Sequence, residues 1–441
     1  MLTCYINYVS IQIRIMGVEV LKNKFSVNLL YVLFCAFSGG VIAIIVWLFL
    51  KIMELGIEFI WHTVPEWINI PFYPVIVCVI GGLLLGIYQS KVGAYPEELE
   101  TVMAKIKKDK FYPYNNALLI CIAALLPLLF GGSIGPEAGL TGVIAGLCYW
   151  AGDHMKYLKN RKDELANIGL SATLGVVFGT PLFGLVAPFE ERTDVDKETV
   201  IPKPSKIFSV LIAVLSAFAV FILLNSIFGG GLALPRIDTA KITNTERLWG
   251  IPIALIGVIA GYLYLIFDKT TKTLFKKLQS KFHIIFSTVI GGIILGISGT
   301  YIPLTMFSGE HQITELTETY TEYAPYMLII IGLLKLLVIN ICIKSGWRGG
   351  HFFPVIFCGI SIGYGVGMLS GLDIPFCLAV VTAGLLGVIM RKPVAVSLLL
   401  MLCFPVRVIP WIMISAFVGS IVPLGKLNHK PNVKNKKENN K

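Results

Sequence analysis

The sequence predicts an all-α polytopic membrane protein built from two repeats of tilted, interrupted helices. Three observations carry that reading. The 441 residues are 56% hydrophobic and only 14% charged, where a soluble chain carries roughly a quarter charged residues; mean hydropathy is +0.78. Long apolar runs break in their middles at glycine-rich stretches, GGSIGPEAGL at 131–140 and KSGWRGGHFFP at 344–354. Four landmarks also recur in order at an offset of about 215 residues: GVIA at Gly40 and Gly257, Gly93 and Gly309, Pro136 and Pro354, Pro181 and Pro393.

The elements follow in order. Phe25–Phe59 exceeds the roughly 20 residues that span a bilayer and is expected to tilt. Phe72–Ile87 leads to a polar loop, Tyr88–Asn116, whose Lys105, Lys107, Lys108 and Lys110 place it on the cytoplasmic side. The broken span Ala117–Trp150 and a second basic loop, Lys156–Glu164, come next. Ile168–Val177 and Pro181–Phe189 are too short to span alone. A linker, Thr193–Ser205, precedes Ile207–Phe228. In the second half, Ile251–Phe267 ends in the basic stretch Lys269–Lys281. Ile284–Ile302 follows, and then Gly309–Glu322, four glutamates without Lys or Arg, fits an outer loop. Tyr326–Ile343, Val355–Leu369, Pro375–Met390, Val394–Cys403 and Val408–Val422 complete the membrane part. The expected organisation is a cytoplasmic segment at 1–24, repeats at 25–228 and 250–422 joined by a loop at 229–249, and a basic cytoplasmic tail at 423–441. No small-residue cleavage site follows the N-terminus, so no signal peptide is expected.

A break inside a membrane span is tolerated only where its backbone is buried in protein or lines a wet cavity. Pro136 followed by Glu137 suits the first turn of a restarted helix. The free N–H groups of such a start attract anions. The expected function is therefore tied to a small anion near mid-membrane. The net charge of +11 resides in short loops and the tail, as membrane topology dictates, and does not point to nucleic acid. The nine cysteines have no ligand spacing, and the eight from Cys35 to Cys403 lie in apolar runs and read as core hydrophobes, so neither a metal nor a cofactor is expected.

These landmarks resemble the CLC family of chloride channels and chloride/proton antiporters. VGAYP at Val92–Pro96 stands where the family has GSGIP, GSIGP at Gly132–Pro136 where it has GREGP, and GHFFP at Gly350–Pro354 matches GxFxP. FGTPLFGLVAPFEE at Phe178–Glu191 is similar to the family stretch FNAPLAGILFIIEE. The resemblance implies two inverted-topology repeats, a homodimer in a bacterial plasma membrane with both termini cytoplasmic, and one chloride pathway per subunit, with or without protons. It places anion-binding groups at Gly93, Ser133, Ile134, Gly135, Gly350, His351, Phe352 and Phe353, with helix starts at Gly93–Pro96, Gly135–Glu137 and Phe352–Val355. It implies that Glu191 accepts protons from the inside. Three departures stand out: the family's serine falls on Gly93, its gating glutamate falls on Ile134, and its late tyrosine has no match in Val408–Val422. No room is expected for the cytoplasmic nucleotide-binding pair of many members.

Several residues carry two readings. Glu137 is either a displaced gate or a first-turn acid that complements the helix dipole. Glu191 is either a proton acceptor or a membrane-edge carboxylate paired with Arg192. His351 is either a pH-sensitive group or a hydrogen-bonded structural one. Arg348 either draws anions into a vestibule or anchors its loop. The competing function is a cation-coupled inverted-repeat transporter of another solute, which would need polar side chains in the breaks. An enzyme is not expected, since no HExxH motif or paired intramembrane aspartates occur.

Overall fold

The computed structural model describes residues 2–68, 70–114, 117–155, 161–190, 204–230, 235–237 and 239–425. Two series of helices share one order. The first comprises α1 (Leu2–Glu58), α2 (Val64–Trp67), α3 (Tyr73–Val92), α4 (Leu99–Lys108), α5 (Ala117–Leu129), α6 (Glu137–His154), α7 (Lys162–Val177), α8 (Pro181–Val186) and α9 (Pro204–Phe228). The second comprises α10 (Asn244–Lys281), α11 (Ile284–Tyr301), α12 (Glu310–Thr319), α13 (Pro325–Ser345), α14 (Phe352–Ser370), α15 (Ile374–Met390), α16 (Pro393–Leu400) and α17 (Ile409–Ile421). Leaving aside the short α2, each helix of the first series has a counterpart in the second. Seven helices among the described residues are long and apolar enough to cross a membrane.

The inversion is visible in the two central hairpins. Tyr112 and Pro113, just before α5 and close in sequence to Lys105–Lys110, lie against Gly142 and Gly146 of α6. That hairpin enters from, and returns to, the basic face. Pro325 and Ile329 at the start of α13, just after the acidic α12, lie against Gly365 of α14. The second hairpin therefore enters from the opposite, acidic face.

Glycine makes the close crossings possible, as expected where lipid gives no hydrophobic drive between helices. α3 and α11 pack along each other. A Cβ on Gly82 would lie 2.6 Å from the Thr288 carbonyl oxygen. α14 and α15 are buried almost throughout, as are α6 and α7, so these four form the centre and α1, α3, α9, α10 and α11 surround it.

Three expectations change. The polar loop at 88–116 contains α4, and the outer loop at 309–322 contains α12. Each is a ten-residue amphipathic helix: Leu99, Val102, Met103 and Ile106 are buried in α4, and Glu310, Ile313 and Leu316 in α12. Their charge density hid a narrow apolar stripe. α10 starts at Asn244, inside the stretch 229–249, because Thr243 and Glu246 form a capping box that begins the helix early.

Replacing Gly82 with valine is expected to cost roughly 1–3 kcal/mol through overpacking against α11. This reads as a lower Tm in detergent, while Leu83→Val on the outward side of α3 changes stability by less than about 0.5 kcal/mol.

Candidate functional site

The first break begins where α5 runs out at Leu129. Trp61 Nε1 donates to the Leu129 carbonyl at 2.9 Å, and the Gly132 amide donates back to Pro127 at 2.8 Å. Gly131 has φ +81°, a left-handed backbone that glycine adopts without strain. Its carbonyl accepts from Phe307 N at 3.1 Å. Pro136 then caps α6, whose first residue is Glu137.

The second break begins at Gly346, φ +117°. Trp347 is wholly buried and anchors the turn, its Nε1 donating to the Thr288 carbonyl at 2.8 Å. Gln89 donates to the Gly346 carbonyl. Arg348 reaches the Ala94 carbonyl at 3.2 Å. His351 then caps α14, which starts at Phe352.

The two breaks are bonded to each other. Gly135 N donates to Gly350 O, and Gly350 N donates to Gly135 O, both at 2.8 Å. Two strand-like residues thus pair in the middle of an all-helical molecule. The pairing brings the N-terminus of α6 against that of α14. Glu137 is wholly buried, and its Oε1 accepts from the Phe352 amide at 2.8 Å. Its Oε2 is buried and has no hydrogen-bond partner among the described residues. A carboxylate therefore occupies the position at the head of α14 where the helix offers positive partial charge.

The surroundings are apolar. Phe353 stacks on Phe178, with ring centroids 4.6 Å apart. Ile134 is wholly buried and packs on Gly349. Ser133 is also wholly buried, and its Oγ has no partner among the described residues.

The structure brings together Ser133, Ile134, Gly135, Glu137, Gly350, His351, Phe352 and Phe353. No contact of Gly93 with them is recorded among the described residues, although Arg348 of the second break bonds to the carbonyl of its neighbour Ala94. Gly93 is exposed and ends α3 at φ +103°. The helix start expected at Gly93–Pro96 is absent there: the chain is still extended at Glu98, and α4 starts at Leu99. Glu191 lies outside the described residues. Its neighbour Glu190 caps α16, accepting from Val394 N at 2.9 Å and Ala395 N at 2.5 Å, and so joins the two repeats.

Two features escaped the sequence reading. Lys335 is wholly buried in α13 and donates to the carbonyls of Leu304 and Met306 at 2.9 and 2.8 Å. Its ammonium lies 4.3 Å from the centre of the Phe357 ring. A lone charge in an apolar run was the available signal. The second is a vestibule of about 230 Å³ on the basic face, lined by Lys272, Lys276, Lys344, Arg348, Glu98 and Gly349, with Lys344 paired to Glu98. Its residues are spread over three elements, and no local pattern unites them. On the acidic face a cavity of about 360 Å³ is lined by Glu54, Glu58, His62, Glu310 and His311.

Comparison with known proteins agrees with this architecture. Residues 76–423 match the family described as voltage gated chloride channel. The chain belongs to that family, the CLC anion channels and antiporters, and is an integral membrane protein. It is similar to proteins named "Putative ion-transport protein YfeO" from Escherichia coli (strain UMN026) and Escherichia fergusonii. Both are 24% identical over 327 residues, 71% of this chain and 73% of theirs. Among solved structures, a CLC-type fluoride/proton antiporter aligns with TM-score 0.72 at 20% identity, covering 90% of this chain and 95% of that one. A slow cyanobacterial Cl⁻/H⁺ antiporter aligns with TM-score 0.74 at 16% identity, covering 90% and 94%. These likenesses are of fold.

A Cβ at Gly350 would fall on the Glu137 carboxylate. Gly350→Ala is expected to lower anion flux in proteoliposomes at least about tenfold, a barrier increase of ~1.4 kcal/mol. Gly40→Ala, where the added carbon makes an ordinary contact with Val220 at 3.5 Å, is expected to leave flux unchanged.

Proposed function

We propose that the protein exchanges chloride for protons across a bacterial plasma membrane, as a homodimer with its basic face toward the cytoplasm, and that Glu137 is its gate. The observation that carries this is the Glu137 carboxylate on the Phe352 amide. One donor site cannot hold a carboxylate and an anion together. With Glu137 ionised, the carboxylate fills the site. Protonation removes its charge and weakens its hold on the amide, and the anion takes its place. Emptying the site then needs the proton gone and the carboxylate back, so anion and proton movements alternate.

The chemistry of the site favours speed. Phe352 N–H and the start of α14 offer about half a positive charge, spread over backbone dipoles. A lysine at that point would hold chloride too tightly for rapid release. The full charges stand back, at Lys272, Lys276 and Arg348 of the vestibule, where they raise the local anion concentration. Ile134 at the position of the family's gating glutamate leaves Glu137 as the carboxylate of the crossing. A passive chloride channel is the second reading, favoured by that same isoleucine.

Proteoliposomes given a chloride gradient, with chloride and pH both recorded, separate the two. Exchange predicts proton movement against its own gradient. It predicts that Glu137→Gln stops that movement and makes anion flux independent of pH. Chloride flux without proton movement in the unaltered protein would establish the channel reading, and unchanged coupling in Glu137→Gln would remove Glu137 as the gate. The same assay with fluoride and nitrate tests the choice of anion.

A further inference from the structure

A furrow of about 210 Å³ runs between α1 and α6, with Leu165 of α7 at its foot. Ile42, Ile144 and Cys148 are buried and form its floor. They meet over Gly169 of α7, where an added Cβ would lie 2.6 Å from Cys148 Sγ and 3.0 Å from Ile144 Cγ2. Phe37, Leu147 and Met155 form the rim, and Phe37 is 71% exposed. The lining is apolar except for Ser38. The furrow therefore opens sideways, into the space that lipid fills.

Its dimensions match one chain of one leaflet. The wall on α1 extends from Phe34 to Ile45, and the wall on α6 from Ile144 to Met155. At the helical rise of about 1.5 Å per residue, both walls are about 16 Å long. The hydrocarbon core of a bilayer is about 30 Å thick, so the furrow takes up one leaflet. α6 runs from Glu137 at the crossing toward the basic face, and the leaflet is the one on that face. A helix, roughly 10–12 Å across with its side chains, is too wide for so small a volume over this length, whereas a hydrocarbon chain is not.

Charge stands where the head of such a chain would lie. Arg161, exposed at the start of α7, lies over the Tyr31 ring, its guanidinium carbon 4.6 Å from the ring centre. Tyr31 precedes Phe34 by one turn of α1, so this cation stands just beyond the basic-face end of the furrow. Of the nearby acids, Asp153 is bonded to Lys162, and Asp163 lies 3.9 Å from Lys110 Nζ. Glu164 follows on α7, while the stretch between α6 and α7 brings Lys156 and Lys159 in sequence. We infer that the furrow holds one acyl chain of an anionic phospholipid from the basic-face leaflet, with its phosphate at Arg161. Basic groups beside a gap between membrane helices suit such a head. The chain covers the apolar floor and wedges α1 against α6, the helix that begins at Glu137. This needs only the membrane setting and holds whichever ion is carried.

The test uses the full chain in proteoliposomes that contain phosphatidylglycerol with a diazirine on its acyl chain. Irradiation and peptide mapping are expected to place the label on 34–45 and 144–155 in preference to the exposed face of α10 at Leu255 and Ile259. Unlabelled phosphatidylglycerol is expected to compete at least about fivefold better than phosphatidylcholine with the same chains, the effect of one basic side chain at an anionic surface. Arg161→Gln is expected to remove that preference and leave the labelled positions unchanged. Ala151→Phe, which places a ring in the furrow, is expected to abolish labelling there; Arg161→Gln carries the test if that variant fails to fold. Label spread evenly over all exposed faces, as a bulk lipid layer gives, overturns the inference. Equal competition by the two lipids in the unaltered protein also overturns it. So does an unlabelled furrow covered by a second copy, shown by a disulfide between chains in Phe37→Cys.

Discussion

The reciprocal pair of hydrogen bonds between Gly135 and Gly350 is the constraint on which the rest depends. A helix interrupted inside a membrane leaves donors and acceptors that lipid cannot satisfy. Each break here satisfies the other. The pairing needs two backbones in contact, so neither position tolerates a side chain, and both glycines would drive an added Cβ into Glu137. It also needs the hairpins to come from opposite faces, which only an inverted repeat supplies. The same two bonds set α6 and α14 head to head, and from that follows the meeting of Glu137 with the Phe352 amide.

Charge is then graded by distance from this point. The crossing holds backbone dipoles and one carboxylate. Lys335 is buried nearby, but its ammonium is bonded to the carbonyls of Leu304 and Met306 and faces the Phe357 ring. It thus braces the turn before α12 rather than holding an anion tightly. The positive charges of Lys272 and Lys276 stand at the mouth on the extension of α10. Strong attraction where ions gather and weak attraction where they pass is the arrangement that permits both capture and release. Lys344 on the same face is paired with Glu98 and Asp268.

Much of this was legible in the residues themselves. Hydropathy, the glycine-rich breaks and the recurrence of Pro136 at Pro354 gave the helices, their interruption and their pairing in two halves, because these depend on local composition and spacing. The carboxylate of Glu137 stood out as a charge in an apolar setting. Two things were hidden. α4 and α12 are so rich in charge that ten residues of amphipathic pattern passed for loops. The ion-pair cluster of Glu98, Asp268 and Lys344 joins residues far apart in sequence, which no local pattern can unite. Gly93 shows the limit of motif matching: its motif is aligned, yet the residue is exposed and the helix starts six residues later, at Leu99.

The central claim is that an anion and the Glu137 carboxylate compete for the head of α14. Anomalous diffraction from crystals of Glu137→Gln grown in bromide tests it most directly. The account predicts a bromide peak within hydrogen-bonding reach of the Phe352 amide, absent from crystals of the unaltered protein at high pH. Bromide that sits elsewhere in the variant, or that binds equally in both proteins with the carboxylate in place, would contradict it.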